Sequence, residues 1–457
     1  MGNGQQGIGN GSGHAVVVGG SIAGLLAAVV LVGHAGRVTL VERDRYPDRP
    51  EPRKGVPQSK HTHLLLESGL VAMERFLPGL GAELVASGAR QVRSPTDYLQ
   101  HMRGRWFSRG PATSTTLCLT RPLLEHGIRA RVLAHPRIDA VQGTDVVGLA
   151  GSAERVTGVL LRERGGGRAD SAPTELAADL VVDAAGRSSR TPEWLRRLGA
   201  EAPAEDRVES GMGYVTRVYR DGSDGALTDA RLVYLVGETM GAVIVPVEPE
   251  GTHMITFATP RGEALPTEPA AFEALADRQP HPLVRQWLDK AEPVSPVFGY
   301  LRTENVRRAY DRVVPDGLLV TGDALCALNP VFGQGMSTAA LDAVALDESL
   351  AAGLPNRRAQ AALLAASAQA WAISTGADKV RPGVTGNAAH RSVRDRITGW
   401  YFARVQERCG ANPEVQATFR RVLALLVPPT ELFRPVIVRS VLFEKGASPD
   451  AAAPLRL

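Results

Sequence analysis

The stretch His14–Asp44, HAVVVGGSIAGLLAAVVLVGHAGRVTLVERD, restricts the fold more than any other part of the chain. Ala15–Val18 read as a buried strand that runs into Gly19-Gly20-Ser21, and an apolar helix is expected from Ile22 to about Val32. A second strand, Arg37–Val41, ends on Glu42. The unit is βαβ and carries the marks of a dinucleotide site. Glycines tighten the turn so that backbone can approach a pyrophosphate, and the helix N-terminus offers unpaired N–H groups to that anion. An acid closing the second strand can accept from ribose hydroxyls. The pattern Gly19-x-Ser21-x-x-Gly24 has serine where the strict form has its second glycine. Serine is small, and its hydroxyl can donate to a phosphate; Ala23 lies inside the same turn. The plain alternative is a strand–helix pair of a doubly wound sheet with no cofactor.

Composition excludes several other classes. Apolar residues make up 44% of the 457 and charged residues 22%, as in soluble globular enzymes. Lysine and arginine number 52 against 48 acids, with no dense basic run interleaved with aromatics, so nucleic acid is not an expected partner. Cys118, Cys326 and Cys409 are far apart and form no CxxC pair, which indicates neither a disulfide framework nor a zinc site and fits a reducing cytoplasm. The apolar run 15–33 is broken by Gly19, Gly20, Ser21 and Gly24, so membrane insertion is not expected. Residues 1–13 are expected to be a flexible tail and not a signal peptide.

Further along, Arg43-Asp44-Arg45 and a proline-rich segment precede Arg53-Lys54-Gly55-Val56-Pro57-Gln58. This reads as a loop over the cofactor, with Arg53 available to a phosphate and Gly55–Val56 free to lie against a flat ring, or else as a solvated loop. His61 and His63 have no third ligand nearby, so a metal site is not expected. Residues 64–88 show helical apolar spacing. Strand-like alternation over 97–120 ends before Arg121-Pro122-Leu123-Leu124-Glu125, a helix start with Thr120 as cap. Arg121 there can serve a phosphate or pair with Glu125 at the surface. Short strands follow, with Gly165-Gly166-Gly167 as a hairpin turn, and Leu180–Val182 then runs into Asp183-Ala184-Ala185-Gly186-Arg187.

Residues 208–260 alternate as an antiparallel sheet, read as the wall of a substrate chamber, and His281–Lys290 as a short helix. Met212, Tyr214, Val243, Phe257 and Phe298 are the candidate chamber residues. A second anchor is Gly317–Ala324, a strand ending in Gly322-Asp323, followed by Asn329-Pro330-Val331-Phe332-Gly333-Gln334-Gly335-Met336 and a helix from Ser337 to about Ala351. The acid can accept from a sugar-like hydroxyl, and the loop amides with the helix N-terminus suit partial negative charge. Residues 358–457 read as mostly helical, capping the chamber or filling space.

Three separated stretches together resemble the FAD-dependent monooxygenases of the aromatic-hydroxylase class. They are Gly19–Gly24 with Glu42, then Asp183–Arg187, then Gly322-Asp323 with Pro330 and Gly333–Met336. The resemblance implies that the first holds the ADP half of FAD, the second lies near the pyrophosphate, and the third holds the ribityl chain and isoalloxazine. Arg53–Val56 resembles the ring-bordering loop, and Arg121 an arginine that reaches a phosphate. Residues 53–69 and the Arg121–Glu125 helix start look most like the squalene-epoxidase-like branch, which includes epoxidases of polyketide chains.

The implied fold is α/β: a Rossmann-like FAD-binding domain (14–90, 110–200 and 300–355), an inserted antiparallel-sheet substrate domain (91–109 and 201–299), and a helical C-terminal region (356–457). The implied activity takes a hydride from NAD(P)H and places one oxygen atom of O2 on an alkene or electron-rich ring of a small apolar substrate, free or carrier-tethered. No second glycine-rich βαβ unit exists for NAD(P)H, which fits transient docking. Alternatives are a non-redox FAD-dependent cyclase of a polyketide pathway, a flavin-dependent hydroxylase and a prenyl-type reductase. A halogenase fits less well, because the chain lacks Trp-x-Trp-x-Ile-Pro and has Val243-Ile244-Val245-Pro246 in an analogous setting.

Overall fold

The computed structural model describes residues 12–165, 172–221, 231–237, 240–446 and 448. β1 (His14–Val18), α1 (Ile22–Leu31) and β2 (Arg37–Glu42) form the expected βαβ unit. They belong to a five-stranded parallel sheet ordered Leu318–Val320, Leu180–Asp183, β1, β2, Ile138–Gln142. Its inner strands are largely apolar because both faces are covered. One is covered by α1 and neighbouring helices, the other by the three-stranded antiparallel sheet Thr144–Gly151, Val156–Glu163 and Thr174–Ala177, which adds Leu149, Val156 and Val159 to the core. α1 approaches β1 closely enough that a Cβ on Gly24 would lie 1.8 Å from the Gly19 carbonyl oxygen. Gly322, at φ +59, likewise leaves room for Ala23, whose methyl a Cβ there would meet at 2.7 Å. The helices Gly335–Ala351, Asn356–Ala366 and Ala368–Asp378 pack into this core through residues such as Ala340, Leu363 and Trp371.

The second layer is an eight-stranded sheet in which Tyr98–Met102 and Leu232–Val236 run parallel and the other long strands antiparallel. One face carries Leu99, Val215, Leu235, Ile255 and Phe257 and is buried against Phe272, Val284 and Trp287. The other face carries the intervening residues. A third core, Phe107 with Val405, Phe419, Leu432, Ile437 and Val441, joins the helices Val393–Arg408, Pro413–Leu423 and Pro435–Phe443. Ser392 and Asp395 close a capping box at the start of the first of these.

Local differences from the sequence reading have physical causes. Residues 64–88 are not one helix. Leu64–Leu66 pairs as a strand with Ser114–Cys118, and the helices Glu67–Glu74 and Leu80–Ala86 are separated at Pro78-Gly79, where Gly79 takes φ +80. The helix expected over 281–290 is confined to Leu283–Leu288. Val156–Glu163 and Thr174–Ala177 do pair as antiparallel neighbours. Gly166 and Gly167 of the expected turn, and residues 1–11 of the expected tail, lie outside the described residues. No helix among the described residues is long and apolar enough to cross a membrane.

Candidate cofactor and substrate site

Three adjacent parallel strands deliver three loops to one edge of the sheet. Val18 is in register with Asp183, and Asp183 with Val320, so Gly19–Ser21, Ala184–Ser188 and Gly322-Asp323 begin side by side. This is the carboxyl edge, where open α/β sheets bind ligands. A cavity of about 2210 Å³ opens there. Single-ligand pockets span about 300–1,000 Å³, so this one has room for a cofactor and a substrate together.

Gly19, Gly20, Ser21, Ala23, Glu42, Arg43, Arg53, Gly55, Val56 and Arg121 all line the cavity, as do Asp323, Pro330, Gly333, Gln334, Gly335 and Met336. Gly24, Asp183 and Gly322 do not lie on its surface. Gly24 and Gly322 permit backbone packing. Asp183 is buried behind its loop, accepting from the Ala185 N–H at 2.9 Å, from Thr191 Oγ1 at 2.7 Å and from Ser189 Oγ. Burial pushes its pKa up, with those hydrogen bonds opposing.

The charges at the first loop are knitted together. Glu42 accepts from the Gly20 N–H at 2.8 Å and the Asp44 N–H at 2.9 Å, and lies 3.1 Å from Arg53 Nη1. Arg53 also donates to Asp44 at 3.0 Å and through Nε to Glu125 at 2.7 Å. Burial works against its charge, but Glu125 and Glu42 outweigh this and hold its pKa above the ordinary value. Three carboxylates therefore occupy Arg53, which leaves Arg121 as the arginine better placed to take a phosphate. Arg121 is buried, not on the surface. It donates through Nη2 to Ser21 Oγ at 2.7 Å, stands 3.6 Å from Glu125, and has an Nε with no partner among the described residues. Burial lowers its pKa against the pull of Glu125.

Two helices of ten and seventeen residues open onto the cavity, α1 at Ser21 and Gly335–Ala351 at Gln334, and neither has a side-chain cap. Their first N–H groups are thus available to anionic charge.

The face of the eight-stranded sheet opposite its core forms the rest of the wall. Tyr98, Gln100, Leu232, Tyr234, Val243, Thr256, Ala258 and Tyr214 line the cavity in register across the sheet. Met212, Tyr214 and Val243 are where the sequence places them, on the cavity. Phe257 is corrected: it sits between two cavity-facing residues, so the two-residue period of a strand sends it into the core beneath. Phe298 is also corrected. It shares the strand face of cavity-lining Tyr300, but pairs with Thr216 one step beyond the cavity surface, where Lys60 covers its ring at 4.9 Å.

Sequence reasoning missed Tyr300, which stacks on Tyr214 at 5.1 Å, and His61, whose ring stands edge-on to Tyr214 at 4.8 Å. His61 Nδ1 bonds Thr216 Oγ1 at 2.9 Å, and Thr216, Thr256 and Thr62 continue the chain in steps of 2.7 Å. Burial, with Lys60 adding to it, lowers the His61 pKa to about 4. Burial and then Arg121 lower that of His63 to about 3. Also missed were Arg420 and Leu423 of the C-terminal helices, whereas Phe402, read as capping the chamber or filling space, lines it. The strand residues were within reach of a period-two reading; the helical ones carry no distinguishing pattern.

A family model described as FAD binding domain matches residues 13–378. The chain belongs to the FAD-binding monooxygenase family.

This flavoenzyme is 34% identical to Protein Rv3254 of Mycobacterium tuberculosis over 76% of its own chain and 74% of that protein. It is 27% identical to 6-methylpretetramide 4-monooxygenase of Streptomyces rimosus, over 94% and 95% of the two chains. Among solved structures, a triple mutant of the flavin-dependent brominase Bmp2 shares the fold at a TM-score of 0.67 and 17% identity, covering 93% of this chain and 98% of that one. The α/β FAD-binding fold and the class of flavin-dependent monooxygenase follow. The site suits that group on its own evidence: two uncapped helix N-termini, an under-satisfied buried arginine, and a long cavity joining them.

Proposed function

We propose that this flavoenzyme uses NAD(P)H and O2 to insert one oxygen atom into an apolar polyketide or polyene intermediate, epoxidising an alkene. Bound FAD supplies the redox chemistry, accepting hydride and activating O2. The chain's residues do the rest. The N-terminus of α1 and Arg121 would hold the pyrophosphate, and Glu42 a ribose hydroxyl. Asp323 would accept from the ribityl chain, and the Gly333–Met336 amides would face the ring. Arg187 steadies Asp323 at 3.4 Å while donating to the Glu304 and Leu328 carbonyls.

The observation that carries the alkene reading is how the two histidines in the wall are engaged. His61 Nδ1 is bonded to Thr216 Oγ1 at 2.9 Å and His63 Nδ1 to the His61 carbonyl at 2.8 Å, and burial lowers the pKa of both, which makes them poor bases. Hydroxylation of a phenol benefits from a base, whereas an alkene needs none. The relative that oxygenates 6-methylpretetramide supports a polyketide-like substrate. The apolar and aromatic wall supports an apolar one.

The test is aerobic incubation of FAD-loaded protein with NADPH and a panel of polyenes and aromatic polyketides, using labelled O2. One labelled oxygen atom per product, on a former alkene, is expected. Product of unchanged mass formed without NADPH or O2 would point to a cyclase, and gain of two hydrogens to a reductase; either overturns the proposal.

A further inference from the structure

Six arginines are buried among the described residues. Four have a carboxylate close by: Arg121 with Glu125 at 3.6 Å, Arg217 with Glu273 at 2.9 Å, Arg308 with Glu205 at 2.8 Å, and Arg408 with Glu444 at 2.7 Å. Arg129 is satisfied by the Pro47 carbonyl at 2.6 Å and by the His126 ring at 3.0 Å. Arg420 stands apart. It is 6% exposed, lines the cavity, and donates only through Nη1, to Ser94 Oγ at 2.8 Å. Its Nε and Nη2 have no partner among the described residues.

The surroundings of Arg420 suit a flat cation that awaits an anion. Its guanidinium lies over the Tyr98 ring at 4.4 Å and the Phe107 ring at 5.9 Å. The groups whose charge bears on it are Tyr98 and Cys409, both neutral at pH 7, and burial lowers its pKa only to about 10. It is therefore a cation with no counter-charge among the described residues. Such a group is costly to bury unless something pairs with it. Ser94, also on the cavity, accepts from Arg420 and gives its own proton to no described group. Two donors thus stand together in a chamber wall.

The helix that carries Arg420 is also tied to the last loop. Gln334 Nε2 donates to the Leu423 carbonyl at 3.0 Å, and Ser68 Oγ to that of Ala424 at 2.7 Å. The separation between Arg420 and the Gly333–Met336 loop is thereby fixed.

We propose that Arg420, with Ser94, receives an anionic oxygen group of the substrate, a carboxylate or an enolate, and so sets which part of the molecule meets the flavin. This rests on the chamber being the place where substrate binds, and makes that substrate apolar except for one anionic end. A guanidinium recognises either anion through paired N–H groups, and lysine would not reproduce that geometry.

The experiment is calorimetric titration of the FAD-loaded enzyme with naphthalene-2-carboxylate, its uncharged carboxamide, and the enolate of 2-acetylcyclohexane-1,3-dione. At least one anion is expected to bind about ten-fold or more tightly than the carboxamide, the scale of a charged hydrogen bond. The anion that shows the preference identifies the group. Arg420→Gln should abolish the preference and Ser94→Ala should weaken it. Equal binding of all three probes to the wild-type enzyme would overturn the proposal, as would an Arg420→Gln enzyme that keeps the preference. The wild-type comparison and Ser94→Ala decide the matter if Arg420→Gln does not fold. No turnover is required, so a chain that binds the anion yet transfers no oxygen refutes the proposed reaction and leaves this role standing.

Discussion

Ser21 Oγ donates to Glu125 Oε2 over 2.8 Å, and the same oxygen accepts from Arg121. The serine that interrupts the glycine pattern is therefore a hinge between the turn and the arginine-bearing helix. Glu125 in turn is the carboxylate shared by Arg53 and Arg121, and those two cations hold its pKa below the ordinary value despite its burial.

Removing that shared charge has a definite cost. Glu125→Gln keeps the shape but leaves Arg121 without its carboxylate, whereas Arg53 retains Glu42 and Asp44. Breaking a buried pair costs roughly 3–5 kcal/mol, so a loss of about 3 kcal/mol is expected in urea unfolding. An unchanged midpoint would show the network to be dispensable.

Two glycines of the site separate packing from backbone strain. Gly24→Ala would place a methyl against the Gly19 carbonyl with no side chain able to yield, so α1 must move off the sheet. A loss above about 3 kcal/mol and failure to retain FAD are expected. Gly333 is at φ +67 with nothing within 4 Å of a built Cβ. Gly333→Ala should cost only about 1–2 kcal/mol of conformational strain. Thermal melts of both variants, with flavin content, check the contrast.

The pH dependence of stability has a histidine part. His61 is protonated near pH 6.5 when unfolded but only near pH 4 when folded, so its contribution is complete above 6.5 and lost as pH falls to 4. The whole is on the order of 3 kcal/mol. His61→Gln should flatten the unfolding free energy over that interval, and an unaltered slope would assign the effect elsewhere.

Asp342 works in the opposite direction. It is fully buried behind the Gly322 turn, accepting from the Gly322 N–H at 3.0 Å with Oδ1 unpartnered among the described residues, and burial raises its pKa to about 7. Its unfolded form ionises near 3.8, so stability is lost as pH rises from there to 7. Asp342→Asn should be more stable than wild type at pH 8 and similar at pH 4, as read by denaturant midpoints at the two values.

The parts of this architecture visible from sequence are those with strict local rules. Glycine spacing and strand-terminal acids marked the three loops and their order along the chain, and the Thr120 cap marked the start of the helix that carries Arg121. Assignments failed where a single register step decides the outcome, as at Phe257, or where chain breakers are weak signals, as at Pro78-Gly79. The C-terminal region could be read only as capping the chamber or filling space, for another reason. Phe419 and Arg420 reach the cavity through tertiary packing, and a helix with apolar residues on more than one side does not declare which side faces a ligand. Arg53 shows a further limit: its three acids are spread over residues 42–125, and only the fold brings them together.

The most direct measurement is the electron density of FAD in crystals of the loaded enzyme. The account predicts phosphates at the N-terminus of α1 and Arg121, and the ring along Gly333–Met336. FAD lying outside this cavity, or reversed within it, would contradict the account.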